Sequence, residues 1–166
     1  MDKNYIEIRK AQDVDFDAIW GIFSNIISSG DSYVYDPNTT KDEARSIWCG
    51  EQVQTHVALN DKEIVGTYII KPNFPGLGSH VANASYMVGS NARGLGIGRL
   101  MGEHSIAVAK EAGYLAMQFN IVVSTNHTAI KLWQSLGFKI IGTSPNAFRH
   151  KTLGLVDAHI MHLNLV

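Results

Sequence analysis

Residues 91–100 read NARGLGIGRL. Gly94, Gly96 and Gly98 alternate between Arg93 and Arg99. Glycine adopts φ > 0 without strain and lets a ligand approach the backbone, because it has no Cβ. The stretch before, HVANASYMV, reads as a strand. The stretch after, RLMGEHSIAVAKEAG, reads as an amphipathic helix. A turn from strand to helix N-terminus gathers unpaired N–H groups at the positive end of the helix dipole, which is the chemistry of an anion site. A pyrophosphate suits it. The P-loop pattern fails, because Arg99-Leu100 stands where Lys-Ser/Thr is required. The dinucleotide fingerprint fails as well: its third glycine falls on Arg99 counted from Gly94, and on Met101 counted from Gly96. A tight turn that merely joins strand to helix is the plain alternative.

Three asparagines form a second constellation. Asn83 lies in the strand before the turn, Asn120 at the end of the next strand, and Asn126 at the start of the following helix. Two-residue alternation puts Asn83, Ser85 and Met87 on one face, and Gln118 and Asn120 on one face. Parallel neighbouring strands would bring Asn83 and Asn120 to one cleft. An amide offers both an acceptor and a donor. A set of amides therefore holds a carboxylate and an amino or imino group without an ion pair. Asn126 also reads as a helix N-cap, and the two roles are compatible. His56, His80 and Asp36 are general-base candidates by residue type alone. His159 and His162 are an odd number of residues apart and so face opposite sides of a strand, which argues against a two-His metal site.

The elements that must position these residues follow from periodicity and breakers. Residues 5–11 (YIEIRKA) alternate as a strand. Residues 13–30 read as a helix, with Asp13 as N-cap and Gly30 as stop. Residues 40–49 read as a shorter helix opened by a Thr40/Glu43 capping box. Two strands flank Asn60-Asp61-Lys62, a hairpin signal. The loop KPNFPGLGS, the strand 82–88 and a helix from about 96 to 112 come next. YLAMQFNIV is a strand, NHTAIKLWQSLG a helix, and FKIIGTS and VDAHIMHLNL the last two strands. The antiparallel first half and the β-α-β-α-β run behind it predict an α/β mixed sheet with helices on both faces.

Composition narrows the class. The chain has 166 residues, 45% hydrophobic and 17% charged, with a net charge of −1. That predicts one globular domain over 1–166 and offers no basic face for nucleic acid or anionic membrane. Cys49 is the single cysteine, so an intramolecular disulfide and a CxxC metal site are excluded and a reducing compartment is expected. MDKNYIEIRK lacks a signal-peptide core, and no apolar run has the length of a membrane span. The expectation is a soluble cytoplasmic protein without a metal.

Arg93-Gly94-Leu95-Gly96-Ile97-Gly98 resembles the Arg/Gln-x-x-Gly-x-Gly/Ala motif of the GNAT N-acetyltransferases. NHTAIKLWQSLGF resembles that family's Asn-x-x-Ala-x-x-Leu-Tyr-x-x-x-Gly-Phe segment. Motif spacing, element order and chain length are similar over nearly the whole sequence. The resemblance implies the GNAT fold, an about seven-stranded, mostly antiparallel twisted sheet. It implies acetyl transfer from acetyl-CoA to an amine. It implies that the Arg93, Gly94, Leu95, Gly96, Ile97, Gly98 and Arg99 backbone holds the pyrophosphate, that Met87 and Val88 pair with the pantetheine, and that Asn126 and Trp133 border the cofactor. The family's usual tyrosine, credited with protonating the departing thiolate, is Trp133 here. An indole N–H is no acid. Packing against cofactor and packing in the core are equal readings of Trp133.

HVANASYMV, QFNIVVSTNHTAIKLWQSLGF and FKIIGTSPNAF resemble the yeast acetyltransferases that detoxify azetidine-2-carboxylate and act on proline-related imino acids. That subgroup implies roles for Asn83, Asn120 and Asn126 in the substrate and cofactor cleft, with Asn120 and Asn126 nearest the chemistry. SSGDSYVYDPNTTKDEARSIW resembles the lip of the amino-acid-analogue acetyltransferases, including those for phosphinothricin. Tyr33, Tyr35 and Asp36 would close over a small amino or imino acid, and Tyr35 would contact it. A plain surface loop is the alternative. A peptide or protein N-terminal acetyltransferase and a non-catalytic acyl-CoA sensor are the competing functions, and a homodimer is left open.

Overall fold

The computed structural model describes residues 5–166. The first four residues, which head the stretch examined for a signal sequence, lie outside the described residues. Seven strands form one sheet: β1 (Ile6–Lys10), β2 (Gln54–Asn60), β3 (Glu63–Pro72), β4 (Val81–Val88), β5 (Ala116–Val123), β6 (Lys139–His150) and β7 (Gly154–Asn164). Their spatial order is β1-β2-β3-β4-β5-β7-β6. Among the described residues, only β4 and β5 run parallel. The mixed, mostly antiparallel sheet read from the sequence is present. Among the described residues, no helix is long and apolar enough to cross a membrane.

Four helices cover the two faces. On one side lie α1 (Phe16–Ser29) and α2 (Lys41–Trp48), and on the other α3 (Ile97–Glu111) and α4 (His127–Ser135). In α1 the buried residues are Phe16, Ile19, Phe23, Ile26 and Ile27, a stripe at helical spacing. They pack with Trp48, Val57, Ile69 and Met87. Across the sheet, Tyr68, Ile70, Tyr86, Met101, Phe119 and Trp133 build the second core. Each such side chain contributes roughly 1.5–3 kcal/mol when fully buried.

The helix ends show where local chemistry decides. Thr40 caps α2 as read: its N–H donates to Glu43 Oε2 at 2.7 Å and its hydroxyl accepts from Glu43 N–H at 3.3 Å. Gly30 ends α1 at φ +63°, as read. The start of α1 differs. Asp13 lies in a three-residue 3-10 turn, Asp13–Asp15, and α1 begins at Phe16. Asp15 does the anchoring, since its carboxylate accepts from Gln12 N–H at 2.7 Å and from both Arg9 Nη atoms at 2.7 and 3.0 Å. The guanidinium beside it holds the Asp15 carboxyl below its usual range. The last two strands also run longer than read. The sequence reads the sixth strand over FKIIGTS, ending at Ser144, but β6 is the sheet edge and passes Pro145 through a bulge between Ser144 and Phe148, with Asn146 at φ +51°. A proline is tolerated at an edge bulge, so the strand resumes to His150.

His56 sits between sheet and α3. Its ring stacks on Tyr68 at 4.8 Å and meets His104 of α3 at 5.5 Å, and its Nδ1 has no partner. Burial and the neighbouring His104 push its pKa down to about 4. The unfolded chain, with an ordinary histidine near 6.5, therefore binds more protons between those values. Stability is complete above about pH 6.5 and falls as the pH drops towards 4. Urea unfolding followed from pH 7.5 to 4.5 should show this loss. His56→Phe, which keeps the stack, should flatten the slope. An unaltered slope would contradict the assignment.

Candidate active site

The site begins with a break in the sheet. β4 and β5 pair only at Val81↔Ala116 and Ala82↔Met117. Beyond that they diverge, and β5 bulges against β7 between Phe119 and Val122. The edge of β4 left open can be read from its other neighbour. Asn73 N–H donates to Val81 C=O, and Gly89 N–H donates to Val65 C=O, each at 2.8 Å. Backbone direction alternates along an antiparallel ladder. Odd-numbered residues 81–89 therefore face β3, while Ala84, Tyr86 and Val88 turn their N–H and C=O groups into the gap. Of the two residues expected to pair with a ligand strand, Val88 presents free groups. Met87 does not: its backbone belongs to the β3 ladder opposite Thr67, and its side chain is buried against α1.

The gap opens on the glycine turn. Gly94 and Gly96 have φ +79° and +81°, the conformation that selects glycine there. The first helical bond of α3 runs from Leu100 N–H to Gly96 C=O at 3.1 Å. The N–H groups of Ile97, Gly98 and Arg99 precede it and have no acceptor within the helix. Arg93 borders the same cleft. The side chains of Leu95 and Arg99 point elsewhere, which leaves the expectation for their backbone N–H groups untouched. Leu95 packs its side chain against the α3/α4 core. The Arg99 guanidinium is tied to Glu103 and to Ser135 of α4, each at 2.9 Å.

The cleft between the strands encloses about 1130 Å³. Asn83, Asn120 and Asn126 all border it, as do Tyr33, Tyr35, Trp133 and Val88. Each asparagine is already engaged on one side. Asn83 Nδ2 donates across the gap to Gln118 C=O at 3.0 Å, which bridges the strands just past their last pair. Asn120 donates to Asn73 Oδ1 at 2.8 Å and accepts from Gln118 Nε2 at 3.1 Å. Asn126 caps α4, accepting from Ala129 N–H at 3.2 Å. One N–H of Asn83 and its carbonyl remain for a ligand.

Trp133 packs in the core and also borders the cleft. Its ring lies 4.6 Å from Tyr86 and 4.8 Å from Phe119. It also backs onto Gly102 of α3, where a Cβ would sit 3.1 Å from its Cζ3 and 2.6 Å from Leu136 Cδ1. The three base candidates fall away. His56 is buried under α3, His80 is exposed beside Leu77 C=O, and Asp36 accepts from Asn38 N–H at 2.8 Å. None borders the cleft.

Tyr33 reaches deepest. Its hydroxyl donates to Tyr86 C=O, on the open edge of β4. Burial raises its pKa, so the phenol stays protonated and remains a donor. Sequence reasoning missed Ile26, Tyr86 and His150, which also border the cleft. The β6–β7 turn brings His150 there, because Lys151 N–H donates to Gly30 C=O at 3.0 Å. No local pattern signals that contact between residues 121 positions apart.

A sequence profile of the Acetyltransferase (GNAT) family matches residues 19–138. The chain belongs to that family. A GCN5-related N-acetyltransferase from Kribbella flavida is 47% identical, with a TM-score of 0.91 over 96% of this chain and 97% of its own. N-acetyltransferase aca1 of Schizosaccharomyces pombe is 38% identical over 98 residues, 58% of this chain. That match spans 47% of the aca1 length, so about half of the relative is shared. The fold is shared too with yncA of Salmonella typhimurium, solved with acetyl-CoA, at a TM-score of 0.83 and 23% identity over 98% of this chain and 95% of that one.

Proposed function

We propose that the chain is a single cytoplasmic domain that transfers an acetyl group from acetyl-CoA to the amine of a small amino or imino acid, proline-like by resemblance. One observation carries the reading. An unpaired strand edge, with Val88 N–H and C=O free, leads from an anion-ready helix N-terminus to a cleft bordered by asparagines. The donor set fits a diphosphate: N–H groups of Ile97, Gly98 and Arg99, the positive end of α3, and Arg93 at the rim. The acetyl-CoA bound by yncA supports the same choice of cosubstrate. Asn83 and Asn120 suit a small polar acceptor, because amides bind its carboxylate without adding charge.

The chemistry asked of the protein is modest. Acetyl-CoA supplies an activated acetyl thioester when bound. The strand edge and the turn align it, and the asparagines orient the amine, so proximity supplies much of the acceleration. N–H groups of Tyr86 and Val88 face the gap and can donate to a carbonyl oxygen as charge develops on it. The amine must be neutral to attack. A cleft walled by amides and aromatics favours that form, and water beyond Asn120, which is exposed, takes the proton. No acid is required for the leaving thiolate, since a thiol pKa of about 8.5 makes it a fair leaving group. Trp133 packs and shapes the groove.

Three measurements test this. Gly98→Asp sets a carboxylate against the pyrophosphate position and should abolish acetyl-CoA binding in isothermal titration. Gly98→Ala adds only a methyl 3.4 Å from Leu132, and should bind within about threefold of wild type. Equal affinity for all three proteins would refute the turn assignment. Trp133→Phe should keep turnover within tenfold, because no proton passes through the indole; a loss beyond roughly a thousandfold, with folding intact, would restore an acid role.

The acceptor reading is tested with azetidine-2-carboxylate, a hydroxyproline and a short peptide, by release of free coenzyme A. The imino acids should be preferred. Asn83→Ala should lower their kcat/KM by about tenfold to a hundredfold, the cost of about 1–3 kcal/mol for an unpaired partner. Acetyl-CoA affinity should change little. A preference for the peptide, or selectivity that Asn83→Ala leaves unmoved, would overturn the small-acceptor reading.

A further inference from the structure

We propose that Tyr33 sets the length of acyl group this site accepts, a role that rests on the acyl-CoA reading above. The geometry of β4 points to it. Between the glycine turn and the closed part of the sheet, only Val88, Tyr86 and Ala84 turn backbone groups into the gap. Val88 is open on both its N–H and C=O. Tyr86 C=O is already taken by the Tyr33 hydroxyl. The Asn83–Gln118 bond bridges the gap below it. An extended thioester arm coming from the N-terminus of α3 along this edge meets Val88 first and then the Tyr33 phenol.

Tyr33 is built as a wall. Its ring stacks on Tyr35, with centroids 6.2 Å apart and planes within 8°. Tyr35 in turn packs at 5.3 Å on Phe23, which is fully buried and meets Trp48 at 5.7 Å. The chain on either side of the pair is anchored. Gly30 C=O accepts from Lys151 N–H, and Thr40 is locked in its capping box. Buried Ile26 and Phe119 border the same cleft and limit side-stepping. A methylene added beyond the acetyl carbon must therefore displace a packed aromatic pair or leave the strand edge. Overpacking of this kind costs about 1–3 kcal/mol, equivalent to roughly ten- to two-hundredfold in selectivity. The site is thus specific for a two-carbon acyl group, and the phenyl ring rather than the hydroxyl enforces it.

The test is binding, so no acceptor needs to be known. Dissociation constants for acetyl-, propionyl- and butyryl-CoA are measured by isothermal titration on wild type, Tyr33→Phe, Tyr33→Val and Tyr33→Ala. Wild type should favour acetyl- over butyryl-CoA by about tenfold or more. Tyr33→Phe retains the ring and should keep that ratio within about threefold. Tyr33→Ala should reduce the preference by about tenfold, with Tyr33→Val intermediate and informative should the alanine protein fail to fold. Tight acetyl-CoA binding with a ratio unmoved in the folded variants would overturn the role of Tyr33 and leave the cosubstrate reading standing. Binding of none of the three thioesters by wild type would overturn both.

Discussion

The structure depends on two strands that pair for two residues and then part. Parting leaves backbone donors and acceptors without a ladder, and buried groups of that kind must find partners. The chain supplies some itself, through Asn83 on one side of the gap and Tyr33 on the other. Val88 keeps its N–H and C=O unpaired. In the cosubstrate reading proposed above, the free energy that would reward closing the sheet would go to an extended ligand, in the manner of strand addition.

Holding strands apart requires support from both layers. On one side α3 and α4 approach closely, because Gly102 lets Trp133 and Leu136 sit where a side chain would be. That contact fixes Trp133 against Tyr86 and Phe119, one residue from each diverging strand. On the other side the aromatic series Trp48, Phe23, Tyr35 and Tyr33 leads from the α1/α2 core to the rim of the gap. The wedge is thus wedged by rings from both cores. Its mouth falls at the N-terminus of α3, where Gly94 and Gly96 reverse the chain and expose donors.

Much of this was legible in the sequence wherever a local rule governs. The glycine turn, the Thr40 capping box and the Gly30 stop are each set by residues within four positions, and each stands where it was read. The strand alternation also carried Asn83 and Asn120 to one cleft. What the sequence hid is set by long-range contact. Asp13 lost the start of α1 to Asp15 because Arg9, from a different element, completes the carboxylate's partners. The sequence pattern of β6 stops at Ser144, but the strand continues through Pro145 because it lies at the sheet edge, which is a property of the sheet. Which β4 residues present free backbone groups depends on the β3 register, so Met87 and Val88 could not be told apart by periodicity. The grip of Tyr33 on Tyr86 joins residues 53 apart and leaves no pattern at all.

The cleft holds a further lesson in how charge is distributed. The cationic features, Arg93 and the positive end of α3, border the cleft together. The amides of Asn83, Asn120 and Asn126 and the phenols of Tyr33 and Tyr35 line the cleft, with Asp31 and His150 also on its wall. Asn120 takes its partners from Asn73 and Gln118, and Gln118 in turn pairs with His162 at 3.2 Å. Such a network orients without ionising, so it neither anchors an ammonium nor competes with it for a proton. In the small-acceptor reading, an amine entering there would lose hydration, which favours its neutral form. A carboxylate in place of Asn83 or Asn120 would hold the amine as a charged pair. The most strongly perturbed histidine, His56, lies on the other face of the sheet from Asn83, under α3 and away from the cleft.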